Sequence, residues 1–309
     1  MRRLLFNGQI PLIVSVCLAT IPLPMLQAEP HCPGKLPILP LHLGRRSQIV
    51  VKVSVNHEGP YDFMVDTGSQ LTSLSPGLAA ELRLQMQGTT DVVGVGRSRA
   101  AFARLGSLQA GSHEVSNLLV IVQNLEHLQE DDLPIRGILG GDFLEHFDVL
   151  IDYGQRILCL DEAKAMQSQI KGEHNVLVHG PHSSEEGGFT EPLIIQAQLS
   201  SKEKRQMLFL LDSGTNAPYL YGAGSAVRRG SAPLNGRGID GREHTVAVLM
   251  PQDLRVGSKS LHKISFVTPV STANEFPKEE FDGLLPTVLF QRVYISYGDR
   301  FAVFDPRCK

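Results

Sequence analysis

The sequence predicts an all-β chain built as two similar lobes related by a pseudo-twofold axis. Three observations carry that expectation. Short apolar runs rich in Val, Ile and Leu are separated by turn residues, and 29 Gly and 19 Pro in 309 residues leave little room for long helices. A composition of 42% hydrophobic and 20% charged residues can bury more than one core. The same landmarks then recur 146 residues apart, once in each half of the chain.

Residues 1–28 are set aside from the fold. Arg2 and Arg3 precede an apolar run, Leu12 to Ile21, and Leu26-Gln27-Ala28 ends on a small residue. This is the pattern of a secretory signal cut after Ala28. The run is short for a membrane span, and Pro22 and Pro24 interrupt it. The mature chain is therefore expected to be secreted or periplasmic, with no membrane association beyond export. It keeps Cys32, Cys159 and Cys308, an odd number that leaves at least one unpaired. Cys32 and Cys308 sit at opposite ends and are candidates to staple the termini, although spacing does not assign the pairing.

A Pro-rich lead precedes the first strand, Ile49 to Val55. A turn over 56–60 and a second strand, Tyr61 to Val65, follow. Pro76 to Leu84 reads as a short helix, then strands are expected around 101–108 and 117–122. Asp142 opens a short helix as an acidic N-terminal residue does. Strands near Val149–Ile151 and Arg156–Leu160 close the first lobe, residues 36–160. Residues 161–189 are polar and poorly periodic and read as a linker. The pattern restarts with strands at 193–199 and 206–211 and runs on as a second lobe, residues 190–307.

The restart is in register. Asp66-Thr67-Gly68-Ser69 and Asp212-Ser213-Gly214-Thr215 each end an apolar strand 146 residues apart. Gly111 matches Gly257 and Gly137 matches Gly283 at the same offset, and Tyr153 matches Tyr297 at 144. Two copies of one lobe pack about a twofold axis as an isologous dimer does, bringing residues near the axis face to face. Asp66 and Asp212 would then share a proton, one carboxylate accepting a proton from a water between them while the other donates. Gly68 and Gly214 suit a tight turn beside each carboxylate. The Ser69 and Thr215 hydroxyls are expected to hydrogen-bond the carboxylates, lowering the pair's pKa and giving an acidic optimum.

The residues Phe63-Met-Val-Asp66-Thr-Gly-Ser, Ile138-Leu-Gly140-Gly-Asp-Phe-Leu144 and Asp148-Val-Leu-Ile-Asp-Tyr153 resemble the aspartic peptidases of the pepsin and retropepsin superfamily. Lobe two is similar in Leu211-Asp-Ser-Gly-Thr215 and Gly283-Leu-Leu285. The resemblance implies the acid-protease fold, each lobe a small closed β-barrel, with the Ile138-Leu139-Gly140 segment running under the catalytic loop in a ψ-shaped arrangement. It implies Asp66 and Asp212 as the catalytic pair, supported by Thr67, Gly68, Ser69, Ser213, Gly214 and Thr215. Flaps over an extended substrate are expected at Gly94, Val95 and Gly96 and at Gly238 and Ile239. The first lacks the tyrosine of the pepsin flap. Pro286 stands where lobe one has Gly140, removing a backbone donor and putting support of the second catalytic loop in question.

The expected function is an aspartic endopeptidase acting on protein or peptide substrates. The alternative is a non-catalytic peptide-binding protein using the same cleft. A monomer would carry a whole site, and a homodimer pairing Asp66 with its own copy is the competing assembly. No cofactor is called for: no Cys/His cluster has metal-site spacing. Near-balanced charge, 29 basic against 32 acidic residues, excludes a dedicated nucleic-acid binder.

Overall fold

The computed structural model describes residues 29–44, 47–94, 96–129, 133–180, 189–199, 206–221, 233–238, 241–270 and 281–306. The expected signal segment, Val95, Ile239 and Cys308 lie outside them. The described chain is nearly all β, in two lobes, with only two short α-helices.

Lobe one begins with the hairpin Ile49–Val55 and Glu58–Val65. Asn56 and His57 both adopt left-handed φ, 49° and 65°, which reverses the chain tightly between twisted strands. The Asn56 carboxamide oxygen also accepts from the Gly106 and Ser107 amides, tying this turn to the next strand. The helix Pro76–Glu81 is set by Ser75, whose hydroxyl accepts from the Leu78 amide, and by proline at its first position.

Both lobes contain the same strand crossing. In lobe one, Ile135–Leu139 runs parallel to Glu58–Val65, with Phe63 opposite Gly137 and Val65 opposite Leu139. Its other edge is antiparallel to Ser73–Leu74. In lobe two, Gly283–Pro286 runs parallel to Gln206–Asp212 with Phe209 opposite Gly283, and antiparallel to Tyr219–Leu220. This is the ψ-shaped arrangement expected beneath each Asp-x-Gly turn.

The lobes meet on an antiparallel platform. The hairpin Asp148–Asp152 and Ile157–Asp161 pairs through its first strand with Phe290–Ser296, which pairs in turn with Phe301–Pro306. Leu150 lies opposite Tyr294 and Asp148 opposite Ser296. Leu150 and Tyr294 hold matching places in the two hairpins, so the pseudo-twofold axis passes between them. One continuous apolar core, including Phe63, Leu139, Phe209, Leu211 and Leu285, extends through both lobes.

The stretch expected as a linker is partly built into this sheet. Asn175–Val178 pairs with Phe301 and Ala302 on one side and with Ile194 and Ile195 on the other. Its alternating burial was hidden by the polar residues around it. Cys32 is bonded to Cys159, not to the C-terminal end, pinning the Pro-rich lead to the platform.

Candidate active site

Each Asp-x-Gly turn starts where a core strand ends at the lobe interface. The Asp66 amide donates to the Leu139 carbonyl at 3.0 Å, fixing the first turn on the crossing strand. The two turns then lock together. The Thr67 amide donates to Ser213 Oγ and the Ser213 amide to Thr67 Oγ1, both at 3.0 Å. Each hydroxyl passes its proton onward, Thr67 to the Leu211 carbonyl at 2.9 Å and Ser213 to the Val65 carbonyl at 2.8 Å. All four groups are buried, so four backbone polar groups that would otherwise lack partners are satisfied across the interface.

The glycines are placed crosswise. A Cβ on Gly68 would stand 2.7 Å from Asp212 Cγ, and one on Gly214 would stand 2.5 Å from Asp66 Cγ. Any side chain at either position would push the opposite carboxyl away. Within each turn, the Gly68 amide donates to Asp66 Oδ1 at 2.9 Å. The Gly214 and Thr215 amides donate to Asp212 Oδ1 at 2.7 and 3.0 Å.

The expected hydroxyl bonds to the carboxylates are not formed. Ser69 Oγ donates to the Leu71 carbonyl and Thr215 Oγ1 to the Ala217 carbonyl. A hydroxyl has one proton, and here it closes the turn. The backbone amides of the same residues help hold the carboxylates instead. The expected lowering of the pair's pKa is also overturned. Burial raises Asp66 against the lowering effect of its amide donors, and Asp212 hydrogen-bonds it directly. Asp212 is raised well above the usual carboxylate range, first by burial and then by the charge of Asp66. A pair of this kind retains one proton where an ordinary carboxylate pair would have none.

The two aspartates lie in a cleft of about 1160 Å³ between the lobes. Gly94, of the hairpin Met86–Gly94 and Gly96–Arg104, lines it, as does Gly238 beyond the strand Leu234–Arg237. Gly96 pairs with Gly94 but is buried and does not line the cleft. Sequence reading missed the aromatic wall on lobe two, formed by Tyr219, Tyr221 and Phe281. Its signal was available: at the 146-residue offset Tyr219 and Tyr221 replace Ser73 and Ser75.

Pro286 fits without an orphaned group. In lobe one the Gly140 amide donates to Thr72 Oγ1, which donates to Asp142 Oδ1 at 2.7 Å. The Thr72 amide also reaches Asp142 Oδ1, at 2.8 Å. Burial pushes Asp142 up to about 6 despite these bonds. Lobe two has Pro286, Pro218 and Val288 at the three matching positions. Donor, hydroxyl and carboxylate are exchanged together, so nothing polar is stranded. Pro286 remains paired alongside Asp212 in the parallel register.

Residues 51–143 match a family model described as aspartyl protease. No curated protein matches the sequence. A retropepsin-like aspartic protease from Rickettsia conorii is 23% identical, with 40% of this chain and 89% of its own covered at a TM-score of 0.30. An aspartic proteinase from Irpex lacteus covers 87% of this chain and 97% of its own at 11% identity, with a TM-score of 0.51, a likeness of fold. The chain is a two-lobed protein of the acid-protease fold. The family match lies within lobe one, and the likeness over both lobes is one of fold.

Proposed function

We propose that the protein is an aspartic endopeptidase in which Asp66 and Asp212 activate a water molecule between them. The observation that carries this reading is the crosswise placement of each carboxyl against the other turn's glycine. It holds the two carboxyls together where they share one proton. The ionised partner takes a proton from water as that water attacks a peptide carbonyl, and the protonated partner donates to the carbonyl oxygen. A tetrahedral diol results, and its collapse with proton transfer to the departing amine breaks the C–N bond. No covalent intermediate is formed.

The cleft, about 1160 Å³ and lined from both lobes, has room for several residues of an extended chain, which favours internal bonds of a peptide. Both carboxyls come from one chain, which favours a monomer. Export to a secreted or periplasmic location fits the Cys32–Cys159 disulfide, since such bonds persist in oxidising compartments. The test is hydrolysis of a peptide library by the purified mature protein, with Asp66→Asn and Asp212→Asn beside it. Cleavage that survives either substitution removes the pair from the mechanism.

A further inference from the structure

Tyr219 lines the cleft beside the strand Leu234–Arg237. Its strand is held antiparallel to Leu284 and Gly283 in the crossing beneath Asp212, so its backbone is fixed by the same elements that fix the turn. The side chain is largely buried, packs at 6.2 Å between ring centres against Tyr221, and lines the cleft. On one side the negative charge of Asp212 acts on it. On the other, the phenol oxygen lies 3.2 Å from where a Cβ on Gly236 would stand, in the strand Leu234–Arg237 at the cleft rim. Any larger residue at 236 would press on the hydroxyl.

The Tyr219 hydroxyl has no hydrogen-bond partner among the described residues, and its oxygen is not sealed from solvent, so its donor is open to the cleft. Burial and the nearby carboxylate raise its pKa, so it stays a neutral donor. The group that would complete it is an acceptor entering the cleft between Asp212 and the rim strand. In an extended peptide, that acceptor is a main-chain carbonyl.

We propose that Tyr219 is a substrate-positioning residue whose phenol donates to a main-chain carbonyl of an extended peptide lying between Asp212 and the strand Leu234–Arg237. The inference rests on the peptidase reading for its kinetic test but not for its binding test. Tyr219→Phe removes the donor and keeps the ring against Tyr221, so the fold and its melting temperature should be retained. One neutral hydrogen bond corresponds to about a tenfold effect.

The experiment compares wild type and Tyr219→Phe in calorimetric binding of an acylated statine pentapeptide and in peptide hydrolysis. The expected result is an inhibitor Kd weakened about tenfold and a KM raised by a similar factor, with kcat changed less than about twofold. If wild type binds the inhibitor but cleaves nothing, the peptidase reading fails, and a tenfold weaker Kd in the variant still upholds the role of Tyr219. An unchanged Kd and KM in Tyr219→Phe overturns the proposal, and a wild type that neither binds nor cleaves overturns both readings.

Discussion

Thr67 and Ser213 bind each other twice, each hydroxyl accepting from the other's amide and donating to a carbonyl of the other's lobe. The site thereby depends on both halves of the chain at once. Ser213→Ala strands the Thr67 amide and the Val65 carbonyl in a buried interface, each at about 1–3 kcal/mol. Urea unfolding is expected to show a loss of about 2–4 kcal/mol. In a double-mutant cycle with Thr67→Val, the coupling should exceed about 1 kcal/mol, because both changes break the same network. Simple additivity would show that the two turns are held by something else.

The raised pKa values of the pair make stability fall with pH. Asp212 titrates near 3.8 in an unfolded chain and well above that in the folded one, so the native state binds more protons between those two points. Its contribution is fully present below the unfolded value and is lost as pH rises through the folded one. Asp212→Asn keeps an oxygen to accept from the Gly214 and Thr215 amides and removes the second charge. It should therefore melt higher than wild type at pH 7 and no higher at pH 3, by scanning calorimetry. It should also lose peptidase activity by at least about a thousandfold at every pH, because a neutral amide cannot exchange the proton.

The local half of this site was legible in the sequence and the non-local half was not. Asp66 and Asp212 end apolar strands and precede glycine, a pattern contained in six residues. The partner of Leu150 is Tyr294, and nothing local specifies that register, because strand pairing is set by packing across lobes. The direction of the Ser69 hydroxyl was misread for a similar reason: the turn offers it the Leu71 carbonyl, and residue type does not reveal which acceptor wins. Cys159 lies inside a buried strand where its spacing to Cys32, 127 residues, carries no signal.

That disulfide closes a long loop, and the chain-entropy account assigns such a closure about 4–5 kcal/mol. Cys159→Ser should lower stability by several kcal/mol with little effect on KM, since neither cysteine lines the cleft. Mass spectrometry of a non-reduced digest should recover Cys32 and Cys159 in one linked pair of peptides. Recovery of Cys32 linked to Cys308 would contradict the structure.

Pro286 supplies the sharpest test of whether lobe two is a damaged copy or a complete one. If the proline weakened the second turn, Pro286→Gly would restore an amide and improve the protein. The structure leads to the opposite expectation. The new amide would find Pro218 where lobe one offers the Thr72 hydroxyl, and Val288 where it offers Asp142. It would be buried without that partner, at a cost of about 1–3 kcal/mol, and the unfolded chain would gain freedom that proline denies it. Pro286→Gly should therefore unfold at lower urea and show no gain in kcat/KM. The double substitution Pro218→Thr with Pro286→Gly should recover part of that loss, because it rebuilds donor and acceptor together. A gain in stability from Pro286→Gly alone would mean that lobe two lacks a support that lobe one has.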